Sequence, residues 1–334
     1  MRLGFWPPVY GNWIMTDNPD EGIGSYEYVK ETTLLADHCG FDTLLLAEHF
    51  IHPNGSKLDL VDAWTSATAL AALTEKIEII AAVKPGLRAP GVTAKMATNI
   101  DHISRGRFAI NLVSAWWLPE YEMLGAPVLS HDVRYARSAE YIDIMKGLWT
   151  QQDFSYAGEF YEIKEASISP KAIQTPHVPI YIGGESEQGR ALGARVADIF
   201  LINGRPPDQI REIIADMKQR AQLNSRTLRF GMSAFVICRE TEAAAQLEYQ
   251  RLLSLLHTNI SGGDKEVAMH KYLAEVEKVG TNGGTVAGLV GTPKKIAERM
   301  QEFEALGIET FLLQFHPTLE EMERFSSEVM PLLK

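Results

Sequence analysis

Short apolar runs recur along the chain, and between them lie longer stretches whose apolar positions return at helical spacing. The runs are Leu3–Trp6, Asp42–Ala47, Ile77–Val83, Phe108–Val113, Pro179–Ile182, Asp198–Ile202, Arg229–Cys238 and Ile308–Phe315. Most are apolar throughout rather than alternating, the pattern of parallel strands covered on both faces. The stretches between them predict helices over Ser25–Gly40, Leu60–Leu73, Pro90–Ile103, Ser130–Thr150, Gln188–Val196, Pro207–Leu223, Thr241–Leu256, Pro293–Leu306 and Leu319–Leu333. Ser25 is a favoured helix opener, Gly40 a favoured stop, and Pro90 stands in a first turn where proline is tolerated.

Two segments break the alternation. Residues 153–170 carry the aromatic, alternating FSYAGEFYEI and predict an inserted hairpin. Residues 257–288 hold Gly262, Gly263, Gly280, Gly283 and Gly284 and predict a flexible, lid-like loop. Strand and helix otherwise alternate without a linker, which predicts one α/β domain over 1–334, a (β/α)8 barrel. A doubly wound sheet fits less well, because no glycine fingerprint for a dinucleotide follows the first strand.

In a barrel, functional side chains gather where strands end. That rule selects Trp6, Glu48, His49, Lys84, Asn111 to Trp117, Gly183 to Ser186, Asn203, Phe235 and His316. The stretch FAINLVSAWWLPEYEMLG from Phe108 stands out, with Asn111 inside an apolar strand and Trp116 and Trp117 just beyond it. Such a strand delivers polar and aromatic groups to a large flat ligand, or its tryptophans cap a core. Gly183-Gly184-Glu185-Ser186 runs from a strand into a helix. Backbone N–H groups there suit a phosphate, and equally a tight turn capped by Ser186. His49 is either a functional histidine or a hydrogen-bonded structural one.

Composition narrows the chemistry. The 334 residues are 46% hydrophobic with a net charge of −11, which disfavours nucleic acid or anionic membrane as a partner. No apolar stretch is long enough to span a bilayer, and the two cysteines show no metal spacing. A cytoplasmic location is expected. Glu48, His49 and His52 lack the pattern of a metal site, and no hydrolase nucleophile motif occurs. Aromatics, strand-end polar residues and a phosphate turn together suggest a phosphorylated aromatic cofactor.

The motifs resemble the bacterial-luciferase-like superfamily of flavin-dependent monooxygenases along the whole chain. Gly40-Phe-Asp-Thr43 with Ala47-Glu-His-Phe50 is similar to the luciferase-type segment, and Asn111-Leu-Val with Pro119-Glu-Tyr121 to pyrimidine oxygenases. His131-Asp-Val-Arg-Tyr135 through Leu148-Trp149, Gly183 to Ser186, and Leu289-Val-Gly-Thr-Pro293 resemble dimethylsulfone monooxygenases. The resemblance implies that an NAD(P)H:flavin reductase supplies reduced FMN, which reacts with O2 to a peroxyflavin in a homodimer or homotetramer. It implies that His49, Asn111, Trp116 and His316 serve catalysis. It also implies that Asn111, Glu120, Tyr135, Gly183, Gly184, Glu185 and Ser186 hold the cofactor, without a metal. Alkanesulfonate monooxygenases carry an Arg and a His where this chain has Ser233 and Phe235, a lid Arg near Asn282 and a Tyr near His316. Without those cations a neutral sulfone is expected over a sulfonate, unless Arg88, Arg134 or Arg205 binds the anion. A pyrimidine ring-opening oxygenase and a deazaflavin (F420)-dependent oxidoreductase are the alternatives.

Overall fold

A computed structural model describes all residues except 12–23, 54, 56, 256–276 and 334. Eight parallel strands close into a barrel. In chain order they are β1 (Arg2–Phe5), β2 (Thr43–Leu46), β3 (Glu78–Val83), β4 (Phe108–Leu112), β7 (Ile180–Gly183), β8 (Ile199–Ile202), β9 (Arg229–Phe235) and β12 (Ile308–Gln314). β12 pairs with both β1 and β9 and so seals the ring. The expected hairpin is present as β5 (Phe154–Ala157) antiparallel to β6 (Glu162–Ala166), outside the barrel.

Helices α1 (Tyr26–Cys39), α2 (Ala63–Leu73) and α3 (Pro90–Ser104) follow the first three strands. The Ser25 hydroxyl caps α1, and Gly40 ends it with φ 85°. The second helix begins later than its apolar pattern suggested. Asp62 accepts the Thr65 N–H at 2.7 Å and so fixes the start at Ala63. A short helix, α4 (Pro119–Met123), lies in the loop after β4, where none was expected. The chain continues through α5 (His131–Thr150), α6 (Glu187–Val196), α7 (Pro207–Leu223), α8 (Glu242–Ser254), α9 (Pro293–Leu306) and α10 (Thr318–Arg324). The closing segment is not one uniform helix to Leu333. It widens at Phe325–Val329 and tightens at Met330–Leu332.

The run Arg229–Cys238 is also not one strand. It breaks after Phe235, and β10 (Ile237–Cys238) leaves the barrel to pair with β11 (Val290–Gly291). The lid expected at 257–288 lies outside the described residues as far as 276. Residues 277–288 are seated on the barrel rather than loose. The Gly204 N–H donates to Asn282 O at 2.8 Å, and Gln314 exchanges hydrogen bonds with the Thr281 backbone at 2.9 and 3.1 Å. The glycines here serve close approach: Gly283 has φ 90°, and a Cβ on it would lie 2.2 Å from Gly204 O.

Period-two alternation divides the barrel strands between two cores. Trp6, Leu45, Ile80, Ala109, Tyr181, Ile199, Leu201 and Leu312 fill the interior, apart from the larger core between strands and helices. Stepping by twos from this inner layer toward the strand ends reaches His49, Lys84, Asn111, Gly183, Asn203 and Gln314. The same geometry that fills the barrel thus brings these residues to one mouth.

Candidate active site

His49 and Lys84, at adjacent strand ends, meet Glu120 from α4. Lys84 Nζ lies 2.9 Å from His49 Nδ1 and is ion-paired with Glu120 Oε2. Glu120 Oε1 accepts the Phe50 N–H at 2.6 Å and approaches His49 Nδ1 at 3.3 Å. Lys84, His49 and Glu120 have side-chain exposures of 2%, 3% and 0%, so their charges act on one another with little solvent screening. Burial opposes ionisation of Glu120, but the close approach of His49 and the Lys84 ammonium outweigh it and hold its pKa at about 2. Burial, followed by the Lys84 charge, pushes His49 down to about 4 against the pull of Glu120. Burial likewise lowers the Lys84 pKa, with Glu120 opposing.

Behind this trio stands Glu48, facing away from the barrel interior. It accepts the Lys84 N–H at 2.7 Å and Arg88 Nε at 2.6 Å, and Arg88 reaches on to Asp62 at 3.0 Å. Burial pushes Glu48 up to about 7 against the attraction of Arg88. In front of the trio, aromatic rings surround His49: Trp116 at 5.4 Å, Tyr10 at 5.8 Å and Trp117 at 6.2 Å between centroids. Ala115, at φ 75°, turns the chain so that both tryptophans meet the histidine.

Across the mouth, Ser186 caps α6 by accepting the Gly189 N–H at 3.1 Å, and its own hydroxyl proton remains to donate. The capped turn and the anion-binding turn are therefore compatible. Gly184 forms a cradle: a Cβ there would come 3.0 Å from the Tyr135 hydroxyl and 3.3 Å from Gly189 Cα. Glu185 has another task, because its carboxylate holds Asn203 Nδ2 at 2.9 Å and is ion-paired with Arg205. Asn111 Oδ1 is buried with no hydrogen-bond partner among the described residues. A buried unpaired amide oxygen is costly, and a ligand donor would relieve it. The orphaned acceptor, the glycine cradle and the helix N-terminus fit a flat, phosphorylated cofactor.

The expected residues thus fall into groups. His49, Glu120 and Trp116 are brought together, with Glu120 buried behind His49 rather than lining the mouth. Tyr135 and Gly183 to Ser186 form the second group, and Asn111 projects from β4. His316 is buried just after β12. In the sequence Lys84 reads only as a strand-end residue, and its partners are not legible there. Its signal was a charged residue ending the apolar run EIIAAV directly before Pro85-Gly86.

The closed parallel barrel and this mouth define a cofactor-dependent enzyme of the (β/α)8 class. The family model described as luciferase-like monooxygenase matches residues 5–310, and the chain belongs to that family. An FMNH2-dependent dimethylsulfone monooxygenase of Pseudomonas putida is 32% identical over all of this chain and 95% of its own length. One from Pseudomonas fluorescens (strain Pf0-1) is 30% identical over all of this chain and 94% of its own. Among solved structures, the EDTA monooxygenase of Chelativorans sp. BNC1 superposes with a TM-score of 0.83 at 18% identity. That alignment covers 100% of this chain and 93% of the other, a likeness of fold. Among the described residues no helix is long and apolar enough to cross a membrane, and no His, Cys, Asp and Glu cluster suits a metal.

Proposed function

We propose that the protein is a two-component monooxygenase that uses reduced FMN and O2 to oxygenate a small, uncharged organosulfur compound, a sulfone, with C–S cleavage. The observation that carries the substrate class is the charge balance of the mouth. Arg88 is neutralised by Glu48 and Asp62, and Arg205 by Glu185. Arg134 donates to the carbonyls of Ser114 and Leu129, at 3.2 and 2.8 Å, which orient its guanidinium without cancelling its charge. Lys84 is matched by Glu120. A buried sulfonate would need a cation of its own, whereas a sulfone offers neutral acceptor oxygens. The resemblance to dimethylsulfone monooxygenases supports the same choice.

The Gly183-Gly184 backbone, Ser186 and Tyr135 would hold the FMN phosphate, and Asn111 would accept from the ring. When bound, reduced FMN supplies the two electrons that activate O2. His49 is neutral at pH 7 and positions oxygen atoms by hydrogen bonding, while Tyr10, Trp116 and Trp117 exclude water around it. Hydroxylation at a methyl carbon of dimethylsulfone, followed by collapse of the C–S bond, gives formaldehyde, methanesulfinate and water, with FMN left oxidised. A separate NAD(P)H:flavin reductase, a homo-oligomeric state and a cytoplasmic location complete the reading. The two free cysteines accord with that location.

Anaerobic titration with reduced FMN, then oxygenated buffer carrying dimethylsulfone, ethanesulfonate or uracil, tests it. Binding, with formaldehyde formed from the sulfone in step with FMN oxidation, is expected. Turnover of uracil alone would point to a ring-opening oxygenase, and failure to bind reduced FMN would remove the cofactor assignment in favour of F420.

A further inference from the structure

His49 Nδ1 offers a single hydrogen-bonding position in the ring plane. As a bare nitrogen it accepts, and as N–H it donates. Two neighbours compete for it. Lys84 Nζ, at 2.9 Å, is a donor in either protonation state, whereas Glu120 Oε1, at 3.3 Å, only accepts. Glu120 Oε1 already takes the Phe50 and Ile51 N–H groups at 2.6 and 3.4 Å, and its other oxygen takes Lys84. The shorter contact is the lysine's, and the carboxylate has less need of a further donor. Nδ1 is therefore bare, and the single imidazole proton sits on Nε2, the nitrogen directed away from the ion pair.

We propose that Lys84 is a positioning residue that fixes His49 as its Nε2–H tautomer, so that the histidine presents a proton, and no lone pair, to the mouth. The proposal deepens the functional reading above and rests on it for the identity of the reacting partner. His49 would then donate to an oxygen atom that gains negative charge during the reaction and would not act as a general base. Glu120 has two effects. It balances the Lys84 charge, and its backbone bonds to the 50–51 loop hold the carboxylate where it anchors the ammonium. Charged and titratable groups around His49 also include Tyr10 from the β1 loop, His52 on its own loop, and Glu48 with Arg88 behind it. None of these is placed to take Nδ1 ahead of Lys84.

The test is 15N NMR of the flavin-free protein labelled with [15N2]-histidine, with His49 assigned from the spectrum lost in His49→Gln. At pH 7 the wild-type protein should show a bare Nδ1 and a protonated Nε2. A protonated Nδ1 in the wild-type protein would overturn the proposal. In Lys84→Met, the Nδ1 proton should appear, donated to Glu120, and the His49 titration midpoint should rise by at least one pH unit, a tenfold gain in proton affinity. An unchanged tautomer and midpoint in that variant would also overturn the proposal. In turnover, His49→Gln, which keeps an amide N–H near the Nε2 position, should retain at least tenfold more product per flavin than His49→Ala; equal losses would argue against the donor role. Failure of reduced FMN to bind, with the NMR result as expected, would sink the functional reading alone.

Discussion

Exchanging Glu120 for glutamine probes the electrostatic frame behind His49. The substitution keeps an acceptor for the Phe50 N–H and removes only the negative charge facing Lys84. With side-chain exposures of 2% and 0%, neither partner has water to replace the other. The stranded ammonium then has two options. Staying charged costs about 3–5 kcal/mol, the usual penalty for breaking a buried pair. Releasing its proton costs about 1.36 kcal/mol for each pH unit below the unfolded lysine value of about 10.4, or roughly 4.6 kcal/mol at pH 7. The less costly route sets the result, so the variant should lose about 3–5 kcal/mol at pH 7 and no more than about 2 kcal/mol at pH 9. The sign follows from linkage: folded Lys84 in the variant holds its proton more weakly than in the unfolded chain. Stability therefore rises with pH, relative to wild type, until the unfolded lysine itself titrates. Urea unfolding at both pH values, followed by tryptophan fluorescence and circular dichroism, measures the difference. A loss under about 1 kcal/mol at pH 7, or an equal loss at both, would refute the claim that this pair is buried and mutually dependent.

Folded His49 titrates near 4, below its unfolded value of about 6.5, so its contribution is full above the latter and fades as pH falls toward 4. His49→Gln should therefore lose less stability than wild type between pH 7 and 5. Glu48, raised to about 7, acts in the opposite direction, and Glu48→Gln should steepen the acid loss in the same unfolding series. Gly184→Ala places a methyl 3.0 Å from the Tyr135 hydroxyl and should weaken reduced-FMN binding by about tenfold, or about 1.4 kcal/mol. Unchanged affinity in a flavin titration would remove the cradle from the site. Gly283→Ala should lower the melting temperature, since strained backbone alone costs about 1–3 kcal/mol and its Cβ would overlap Gly204. An unchanged melting temperature would mean that residues 277–288 are not seated as described.

The sequence by itself determined the barrel, because strands buried on both faces must be apolar throughout, and helices packed on one side must repeat at their own period. Runs such as Asp42–Ala47 and Ile77–Val83, and signals such as Ser25 and Gly40, are local, so they are legible in a linear text. It also marked the strand-end residues His49 and Asn111 and the Gly183–Ser186 turn, since a polar or glycine residue at the end of an apolar run is a local anomaly. What it did not contain was who meets whom. Lys84 and His49 are 35 positions apart, and Lys84 and Glu120 are 36 apart. Only closure of the barrel sets their strand ends side by side, and only the turn through Ala115 and α4 brings Glu120 beneath them. Partnership in turn decides charge: Arg88 and Arg205 look like anion binders in the sequence but are neutralised by carboxylates in the fold. Glu185 stands beside the glycine turn in the sequence, and only the fold shows its carboxylate holding Asn203 and Arg205 of a neighbouring loop. The glycines of 280–284 predicted mobility, whereas their positive φ angles and close backbone approaches show them serving packing. Such effects depend on distances through space, which the order of residues constrains but does not state.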